Sequence, residues 1–484
     1  MCDLASFIPC PLAAAAQAFP EALACLDDRV YSYAVFRRRV VHFKQILMRQ
    51  GILQGERVIL LGKPSSCYCA ALWALIQTGS VACPLNPALP GSAIADIAAR
   101  LQPGRILHDT GMETALERIH VPRVSFQELE GQAETGGMDA LTPMLDGSLP
   151  ATMVMTSGST GTAKAAVHSL GNHRYAACAA NANMPLGQGD IWLLSLPLYH
   201  VSGLGILFRC ALAGAAVAIP RQGAPLEEEL ARTEAGYASL VPTQLHRLME
   251  SANGRKVLRN MKGILLGGAP VDTVLVKRAW EAGVPLIRSY GMTETSAQLV
   301  ATSPDATLED LYSSGRPLMP GTVRISPEGG IEVRGPSVFL GYYEESGQLK
   351  KPETEEGWFP TGDRGYWDGR GRLFVTGRAD TMFISGGENI YPEEIEQALK
   401  TLAEVKHVAV VGVPDPEYGA IPVAFIALRN PQDAVAETLN VRLRQLLPGH
   451  KLPRYYFPWP KDVPLDSKIS RTSLCEEAAK HLRQ

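Results

Sequence analysis

A run of hydroxyl-bearing residues and glycines that ends in a lysine is the most chemically suggestive part of this 484-residue chain. The run Thr156-Ser-Gly-Ser-Thr-Gly-Thr-Ala-Lys164 follows the apolar Met153-Val-Met155, as a phosphate-binding loop follows a strand. Glycine lets the backbone approach a ligand closely, and amides, hydroxyls and an ammonium can hold phosphate oxygens. This run is not a Walker A loop, because Lys164 follows Ala163 rather than glycine and Ala165 stands where that motif has its Mg²⁺-binding hydroxyl residue. A flexible Ser/Gly linker is the alternative interpretation of the run alone.

Six further segments, polar or rich in glycine, follow that loop. Each alone is weak evidence, because glycine pairs at strand ends and Thr-Gly-Asp turns are common. Their order from residue 199 to residue 471 is the informative property. The segments are Tyr199-His200, Leu266-Gly-Gly-Ala-Pro270, Ser289-Tyr-Gly-Met-Thr-Glu294, Trp358-Phe-Pro-Thr-Gly-Asp363, Gly377-Arg-Ala-Asp380 with Ser385-Gly-Gly-Glu-Asn-Ile-Tyr-Pro392, and Pro464-Leu-Asp-Ser-Lys-Ile-Ser-Arg471.

Together and in this order, the loop and the six segments resemble the adenylate-forming superfamily of acyl- and aryl-CoA ligases, luciferases and peptide-synthetase adenylation domains. The resemblance covers essentially the whole chain. It implies an enzyme that joins a carboxylic acid to AMP from ATP, releases pyrophosphate, and then transfers the acyl group to a thiol. Such an in-line attack at the α-phosphorus is catalysed mainly by positioning and charge stabilisation. ATP and CoA are the implied co-substrates, and Mg²⁺ is the implied cofactor.

The resemblance also implies how the nucleotide is bound. Glu294 would bind Mg²⁺, a hard cation that prefers carboxylate oxygens and substrate phosphates, and the catalytic Thr293 would contact the α-phosphate. Asp363 would accept hydrogen bonds from both ribose hydroxyls. Arg378 would contact the ribose or a phosphate, and Tyr290 would stack on the adenine. The expected ATP-binding residues are Thr156, Ser157, Gly158, Ser159, Thr160, Gly161, Lys164, Gly268, Ala269, Pro270, Ser289, Tyr290, Gly291, Asp363 and Arg378.

The C-terminal segments imply a second set of roles. Lys468 would reach between the carboxylate and the α-phosphate and oppose the negative charges that must approach each other; an exposed C-terminal lysine is the alternative. Asp380 lies where the superfamily has its hinge, and rotation there would replace Lys468 with a tunnel for the pantetheine arm of CoA. His200 would border the acyl pocket and gate access of the thiol; a hydrogen-bonded core histidine is the alternative. The tunnel would be lined by Ser385, Gly386 and Gly387.

The surroundings of Arg209 indicate the acid substrate. Residues 196–209, 241–245 and 383–395 resemble the 2-succinylbenzoate–CoA ligases, the acyl-CoA synthetases of menaquinone biosynthesis. A guanidinium inside an apolar run is costly unless it is paired, and its planar fork fits a carboxylate. The resemblance places Arg209 in the acid pocket with His200, Ser202 and Gly203, where the second carboxylate of succinylbenzoate would be its partner. An arginine that pairs with an internal acid or reaches solvent is the alternative.

Composition and charge argue against several other classes of protein. The net charge is −3 and no strongly basic block is present, so nucleic acid is not the expected partner. The most apolar stretch, Val201 to Ile219, contains Arg209 and three glycines, so we expect no membrane span. No basic segment precedes an apolar core at the N-terminus, which favours a cytoplasmic protein. The sequence leaves open whether the chain forms a homo-oligomer.

Alternating helical and strand patterns predict an α/β fold with a largely parallel sheet. The run Val58 to Leu61 predicts a strand covered on both faces, residues 67–78 a helix, and residues 82–86 the next strand and turn. Further strands are predicted at residues 193–197, 215–219, 238–241 and 263–266. Residues 315–375 predict an antiparallel, β-rich subdomain, since glycine and proline are frequent there.

Two domains are expected from the length of the chain. Residues 1–378 are predicted to form a large N-terminal domain of parallel-rich αβα layers plus the β-rich subdomain, which binds ATP and the acid. Residues 379–484 are predicted to form a small, mobile α+β domain that carries Lys468. It would include a helix over residues 392–402, strands over residues 408–411 and 423–428, and a helix over residues 434–447.

Two other functions remain open at this point. One is another enzyme of the same fold: an aryl- or fatty-acyl-CoA ligase, or an adenylation enzyme that loads a carrier protein. The chain has no carrier domain with a serine attachment site, which favours free CoA as the thiol. The other is a catalytically inactive, nucleotide-binding relative. The presence of Lys164, Glu294, Asp363 and Lys468 argues against that second function.

Overall fold

The computed structural model describes residues 6–132, 142–156, 164–268, 271, 273–344, 346–352, 354–378, 383–390, 392–402, 404–429, 436–460 and 471–483. Several predicted site residues lie outside these described residues, namely Ser157, Gly158, Ser159, Thr160, Gly161, Ala269, Pro270, Asp380 and Lys468.

Helices and strands alternate along most of the described chain. Up to residue 132 they are β1 (Phe7–Pro9), α1 (Pro11–Ala18), β2 (Leu23–Leu26), β3 (Val30–Ser32), α2 (Tyr33–Arg49), β4 (Arg57–Leu61), α3 (Ser66–Thr78), β5 (Val81–Leu85), α4 (Gly91–Leu101), β6 (Arg105–His108), α5 (Glu113–Leu116), β7 (Arg123–Ser125) and α6 (Phe126–Gly131). Between residues 142 and 268 they are β8 (Met144–Asp146), β9 (Pro150–Thr156), β10 (Lys164–Ser169), α7 (Leu170–Asn183), β11 (Ile191–Leu193), α8 (Val201–Ala213), β12 (Ala216–Ala218), α9 (Leu226–Thr233), β13 (Tyr237–Leu240), α10 (Pro242–Glu250), α11 (Ala252–Arg259) and β14 (Gly263–Leu266).

The later elements are shorter and richer in strand. Up to residue 378 they are α12 (Thr273–Glu281), β15 (Leu286–Met292), a 3₁₀ turn (Thr293–Thr295), β16 (Ala297–Ala301), α13 (Leu308–Leu311), β17 (Arg316–Pro317), β18 (Val323–Ile325), β19 (Gly330–Val333), β20 (Gly341–Tyr343), β21 (Leu349–Lys350), β22 (Phe359–Trp367) and β23 (Leu373–Arg378). The C-terminal elements are β24 (Phe383–Ser385), β25 (Glu388–Ile390), α14 (Pro392–Lys400), β26 (Val405–Asp415), β27 (Gly419–Leu428), α15 (Ala436–Leu443), a 3₁₀ turn (Gly449–Lys451), β28 (Tyr455–Pro458) and α16 (Arg471–Arg483).

The first large sheet has the strand order β21-β20-β10-β9-β5-β4-β6-β7. Strands β9, β5, β4, β6 and β7 are parallel, and β10 joins them to β20 by antiparallel pairing. Residues Val58 to Leu61 of β4 are fully buried, as expected for a strand covered on both faces. Helix α3 begins where the Ser65 side chain accepts a hydrogen bond from the Tyr68 amide at 3.0 Å. The predicted strand–helix–strand unit is therefore confirmed.

The second large sheet has the order β17-β16-β15-β14-β13-β11-β12-β2-β3 and is parallel from β15 to β2. The strand predicted over residues 193–197 is wrong in its bounds, because β11 ends at Leu193. Leu193 pairs with Ala218 and Ala238, and the chain then leaves the sheet. Ser195 donates a side-chain hydrogen bond to the Ser239 carbonyl at 2.5 Å, which fixes the start of the loop that leads to His200.

Four smaller sheets are found among the described residues, of which β1-β8 and β24-β25 are two-stranded antiparallel pairs. Strands β18, β19, β22 and β23 form an antiparallel sheet, which confirms the predicted β-rich region. Near the C-terminus, β26 and β27 form a long antiparallel pair that β28 extends in parallel. Two hydrophobic clusters there consist only of residues after position 383. The mixed α/β class is confirmed, and the exact boundary between residues 378 and 379 stays a prediction.

The helix predicted over residues 434–447 ends earlier in the structure, because the described helix α15 (Ala436–Leu443) stops at Leu443. The strands predicted at residues 408–411 and 423–428 lie within the longer β26 and β27. Among the described helices, none combines the length and apolar composition needed to cross a bilayer.

Candidate active site

A cavity of about 1650 Å³ lies at the carboxyl ends of the parallel strands in the second sheet. Ser195 after β11, Val241 after β13, Gly268 after β14 and Ser289 within β15 all line it. Residues of the C-terminal region, among them Gly387, line the same cavity. Open α/β sheets bind ligands outside the carboxyl ends of their strands. The sheet topology therefore makes this cavity the candidate active site.

Tyr290 and Asp363 come from two separate segments and meet in the cavity. The Tyr290 hydroxyl donates to the Asp363 carboxylate at 2.7 Å, although the two residues are 73 positions apart. Both line the cavity, together with Ser289, Gly291 and Gly268. Across β22 and β23 the backbone of Asp363 pairs with that of Arg378. The described residues predicted to hold adenine and ribose are thus close to one another.

Three contacts fix the 3₁₀ turn that carries Thr293 and Glu294. His168 donates from Nε2 to the Thr293 carbonyl at 2.7 Å. The Phe339 amide donates to the Glu294 carbonyl at 2.9 Å, and the Tyr342 hydroxyl donates to Glu294 Oε1 at 2.6 Å. Burial lowers the pKa of His168 to about 4, so its ring is neutral at physiological pH. Glu294 is 7% exposed and lines the cavity, so its carboxylate is held at the cavity wall.

The backbone after Glu294 is strained. Ser296 has φ of 57° and Ala297 has φ of 107°, both in the region that favours glycine. The Ser296 hydroxyl donates to the Ser337 carbonyl at 2.9 Å and helps hold this conformation. Strained backbone of this kind is concentrated at functional sites.

Thr156 and Lys164 form the two ends of the predicted phosphate loop. They pair directly across β9 and β10, so the two ends of the predicted loop lie side by side. Thr156 lines the cavity. The Lys164 ammonium lies 5.1 Å from the centre of the Tyr342 ring, within the range of a cation–π interaction.

Arg209 is buried at the wall of the cavity in α8. Its Nε donates to Asn181 Oδ1 at 2.8 Å, and its Nη2 donates to the Met184 carbonyl at 3.1 Å. Its guanidinium lies 4.3 Å from the centre of the Trp192 ring. Its Nη1 has no hydrogen-bond partner within the described ranges, and no ion pair to an acid is found there. Burial lowers the pKa of Arg209 to about 10, which still leaves it charged at neutral pH.

Helix α7 supplies a wall of small side chains beside Arg209. His173, Ala176, Ala177 and Ala180 recur at helical spacing and line the cavity. His173 stacks on Phe208 with ring centres 4.5 Å apart and shares a 2.8 Å hydrogen bond with Thr152 Oγ1. Burial is the main cause that lowers the pKa of His173 well below its usual value, and electrostatic repulsion between the protonated forms of His173 and His168 is the second cause. The wall that α7 contributes is thus neutral and largely apolar.

His200 connects the two parts of the chain. Its Nε2 lies 3.2 Å from Glu388 Oε2, which follows the glycine pair of the β24–β25 hairpin. Burial alone would raise the pKa of Glu388, but the hydrogen bond and charge of His200 hold that pKa below its usual value. Gly387 has φ of +86°, and a Cβ there would lie 2.7 Å from a Val241 methyl group. Only glycine permits this close approach between the hairpin and Val241, the residue that precedes α10.

A second contact between the two parts lies at the rim of the cavity. Arg247 of α10 donates to the Glu417 carboxylate at 3.0 Å and to the Tyr418 hydroxyl at 3.3 Å. The Gly386 amide donates to the Tyr418 carbonyl at 2.9 Å, so the glycine hairpin and the β26–β27 turn are connected. These contacts place the predicted tunnel loop against the cavity.

Three of the predicted site residues whose side chains are described do not line the cavity, namely Lys164, Gly203 and Ser385. Gly203 packs against the Pro197 carbonyl so closely that a Cβ would overlap it; its neighbour Ser202 does line the cavity. Ser385 is buried in the β24–β25 hairpin, and Gly386 and Gly387 line the cavity instead. Gly203 and Ser385 therefore shape the backbone rather than the wall.

Several residues at the site were not identified by sequence reasoning. Tyr342, His168, His173 and Trp192 stand in apolar strands or helices, where they look like core residues. Only the pairing of β10 with β20 brings Tyr342 to Lys164, and this pairing leaves no spacing signal in the sequence. The tyrosine pair that follows Gly341 is a weak local signal for such a residue.

Comparisons with known proteins agree with this geometry. Residues 12–343 match the family model described as AMP-binding enzyme, and residues 394–467 match AMP-binding enzyme C-terminal domain. The 2-succinylbenzoate–CoA ligase of Listeria monocytogenes serotype 4b is 34% identical over 433 residues, covering 88% of each chain.

Solved structures of a Bacillus subtilis enzyme resemble the whole chain. The o-succinylbenzoate CoA synthetase double mutant, bound with its product analogue OSB-NCoA, has a TM-score of 0.87 at 29% identity, with 97% of this chain and 99% of that chain covered. The same synthetase in complex with ATP and magnesium ion has a TM-score of 0.71 at 29% identity, with 97% and 99% covered. The matched family models, which together span most of the chain, and the relatives of near-equal length lead to one conclusion: this chain belongs to the AMP-binding enzyme family.

Proposed function

We propose that this chain is an ATP-dependent 2-succinylbenzoate–CoA ligase of menaquinone biosynthesis. The succinyl carboxylate attacks the α-phosphorus of ATP, which forms the acyl-adenylate and releases pyrophosphate. The CoA thiol then attacks the acyl carbonyl, and the products are 2-succinylbenzoyl-CoA and AMP. The observation that carries the proposal is the buried Arg209, which is charged, lines the cavity and has an unused N–H group.

Arg209 supports a substrate with two carboxylates. A buried guanidinium with no acidic partner in the described ranges retains an N–H group for an anion. The ring of such an acid would pack between Trp192 and the alanine face of α7, with its aromatic carboxylate on Arg209. A simple fatty acid would leave the charge of Arg209 unpaired, which is unfavourable in an apolar environment. Ser202 and His200 would contact the acid nearer to the reacting carboxylate.

The carboxylates of Glu294 and Asp363 at the cavity wall support binding of ATP with Mg²⁺. Glu294 would hold the cation, and Asp363 would hold the ribose. Within the described ranges, no group of three or more His, Cys, Asp and Glu side chains is arranged to hold a metal ion. A lone carboxylate at the wall fits Mg²⁺, which takes its other ligands from phosphate and water. When bound, the cation would neutralise charge on the phosphates, while Lys164 and the loop from Ser157 to Gly161 hold them.

Two domain arrangements would serve the two steps. The TM-score is higher against the product-analogue complex than against the ATP complex of the same synthetase, at equal identity and equal coverage. The contact between His200 and Glu388 and the approach of Gly387 to Val241 support the thioester-forming arrangement for the structure described here. Rotation about Asp380 would bring Lys468 to the α-phosphate for the first step. We further propose a cytoplasmic enzyme, since ATP and CoA are its co-substrates.

A panel of acids tests the proposed substrate. CoA consumption with ATP and Mg²⁺ would be measured for 2-succinylbenzoate, benzoate, a medium-chain fatty acid and 4-coumarate, with acid-dependent pyrophosphate release as the second readout. We expect succinylbenzoate to be preferred by more than tenfold. A preference for 4-coumarate or the fatty acid would instead identify another CoA ligase of this fold. Absence of pyrophosphate release with every acid would contradict the assignment as an enzyme.

A further inference from the structure

We propose that Tyr342 is a positioning residue for the metal-dependent step, whose hydroxyl orients the Glu294 carboxylate while its ring supports the Lys164 ammonium. This inference rests on the proposed role of Glu294 as the Mg²⁺ ligand. The inference goes beyond that role, because Tyr342 contacts both Glu294 and Lys164, the residue at the end of the predicted phosphate loop. Three observations carry it: the strand register, the hydroxyl contact and the ring contact.

The register of β10 and β20 places Tyr342 beside Lys164. Tyr342 pairs with Ala166, and the next residue, Tyr343, pairs with Ala165. Side chains alternate between the two faces of a strand, so Lys164, two residues before Ala166, shares a face with Tyr342. Tyr343 points to the opposite face, where it packs in a hydrophobic cluster with Val81. The two neighbouring tyrosines therefore have different surroundings.

The hydroxyl of Tyr342 acts on the carboxylate itself. Its distance to Glu294 Oε1 is 2.6 Å, in the range of charge-assisted O–H···O⁻ hydrogen bonds. The contacts from His168 and Phe339 fix the backbone of the turn, whereas the Tyr342 contact acts on the side chain. Donation by Tyr342 therefore fixes the orientation in which the Glu294 carboxylate would meet a cation or its bound water.

The ring of Tyr342 is fixed and carries a cation on one face. Phe339 contacts it edge-on, with ring centres 4.7 Å apart and an interplanar angle of 69°. The Lys164 ammonium lies over the ring, 5.1 Å from its centre. The lysine at the end of the phosphate loop therefore has a defined position near Glu294, one tyrosine ring away. Groups that orient a metal-ligating carboxylate typically change metal affinity 10- to 100-fold when removed.

The test compares variants that remove the hydroxyl with one that removes the ring. Tyr342→Phe retains the ring, Tyr342→Leu removes both groups, and Tyr343→Phe is the matched control one residue away. Binding of α,β-methylene-ATP would be measured by calorimetry with saturating Mg²⁺ and again with EDTA. The ratio of the two affinities gives the contribution of the metal, independent of turnover.

The ratio of the nucleotide affinity with Mg²⁺ to the affinity in EDTA is called the Mg²⁺-dependent gain. We expect Tyr342→Phe to reduce this gain about tenfold and to leave the affinity in EDTA unchanged. The Mg²⁺ concentration for half-maximal pyrophosphate release should rise in parallel. Tyr342→Leu should in addition weaken binding in EDTA at least about threefold, because Lys164 loses its support. Tyr343→Phe should match the wild type. Thermal unfolding of each variant confirms that the comparison is made on folded protein.

Glu294→Gln separates failure of this inference from failure of the proposed function. If Glu294→Gln loses the Mg²⁺-dependent gain and Tyr342→Phe retains it in full, the role of Tyr342 is refuted and the metal ligand stands. If Glu294→Gln itself retains the gain, the metal ligand is assigned wrongly. An equal loss in Tyr343→Phe and Tyr342→Phe would mean that the effect comes from the strand as a whole.

Discussion

At the scale of single residues, Arg209 shows how a buried hydrogen-bond donor without an acceptor indicates a ligand. A buried charged group ordinarily has its polar atoms paired. Arg209 uses Nε and Nη2 on Asn181 and the end of α7, and stacks on Trp192, but Nη1 has no partner in the described part of the chain. Its fixed, planar geometry suits a carboxylate that enters from the cavity.

Arg209→Ala should raise the KM for succinylbenzoate more than tenfold and leave the KM for ATP nearly unchanged. Loss of a buried charged contact typically costs about 2–5 kcal/mol, which corresponds to more than tenfold in affinity. Steady-state kinetics with each substrate varied in turn would measure both constants. Arg209→Lys is the matched control: it keeps the charge but loses the two-point fork, so its loss should be intermediate. An unchanged KM for the acid in the alanine variant would refute the pocket assignment.

The sequence identified individual site residues when their neighbours formed a recognisable segment. Tyr290 and Asp363 were predicted from different segments, and the structure joins them at 2.7 Å. Tyr342 and His173 were not predicted, because their importance depends on partners more than a hundred positions away or on a helix face. A tyrosine in a short strand has the same local pattern whether it packs in a core or supports a catalytic carboxylate.

At the scale of secondary-structure elements, periodicity predicted the buried strands well and the loops poorly. The run Val58 to Leu61 is a strand because both of its faces are covered, and a continuous apolar run is typical of that environment. Residues 194–197 are also mostly apolar, but they line or approach the cavity instead of extending β11. Hydrophobicity alone does not distinguish a sheet interior from the wall of an acid pocket.

Helix α9 gives an element-scale prediction about pH. The buried Glu229 carboxylate accepts hydrogen bonds from Arg232 and from Arg221, and Arg232 also donates to the Ile219 carbonyl beyond β12. Burial alone would raise the pKa of Glu229, but these two arginines lower it from 4.5 to about 2. The stabilisation is therefore complete above pH 4.5 and is lost as the pH falls toward 2.

Glu229→Gln should lower the free energy of unfolding by roughly 2 kcal/mol at pH 7 and by much less near pH 3. Urea unfolding at the two pH values would measure the difference. Glu228→Gln, on the exposed side of the same helix, is the control and should change stability little at either pH. A loss for Glu229→Gln that is the same at both pH values would show that packing, and not the charge, is responsible.

At the scale of the whole molecule, two contacts hold the C-terminal region against the cavity in the described arrangement. His200 meets Glu388 near the centre, and Arg247 meets Glu417 at the rim. Arg247 and Glu417 are 61% and 45% exposed, so their ion pair contributes modestly, on the order of 0.2–1 kcal/mol. Contacts of this strength can bias one arrangement and still permit rotation to the other.

Adenylate formation and thiolation should depend on different residues: a change at Lys468 should affect the first step, and a change at Arg247 should affect the second. Lys468→Ala should abolish adenylate formation and leave thiolation of pre-made adenylate largely intact, because the role proposed for the lysine belongs to the first step alone. Arg247→Glu should slow thiolation about two- to fivefold, as expected for loss of an exposed ion pair, and spare adenylate formation. Pyrophosphate release and CoA consumption from pre-made adenylate, measured separately, report the two steps.

The charge reversal Arg247→Glu with Glu417→Arg is the control and should restore thiolation. Lys277→Glu, in an exposed pair with Glu281 on α12, should alter neither step. Equal loss of both half-reactions in the Lys468 variant would contradict alternation between two arrangements. The sequence predicted the hinge segment from resemblance alone; the arrangement depends on weak contacts between distant surfaces, which local patterns do not encode.

Because the Arg209 guanidinium is buried without an acidic partner in the described residues, binding of the dicarboxylic acid should stabilise the folded protein. A ligand that binds only the folded form stabilises it by about 2.7 kcal/mol at a hundred times its dissociation constant. With succinylbenzoate as that ligand, the folded enzyme is most stable when the concentration of its substrate is high. It is most easily degraded when the reaction that supplies succinylbenzoate stops. Protein turnover would then match the amount of ligase to the supply of acid without a dedicated regulatory site.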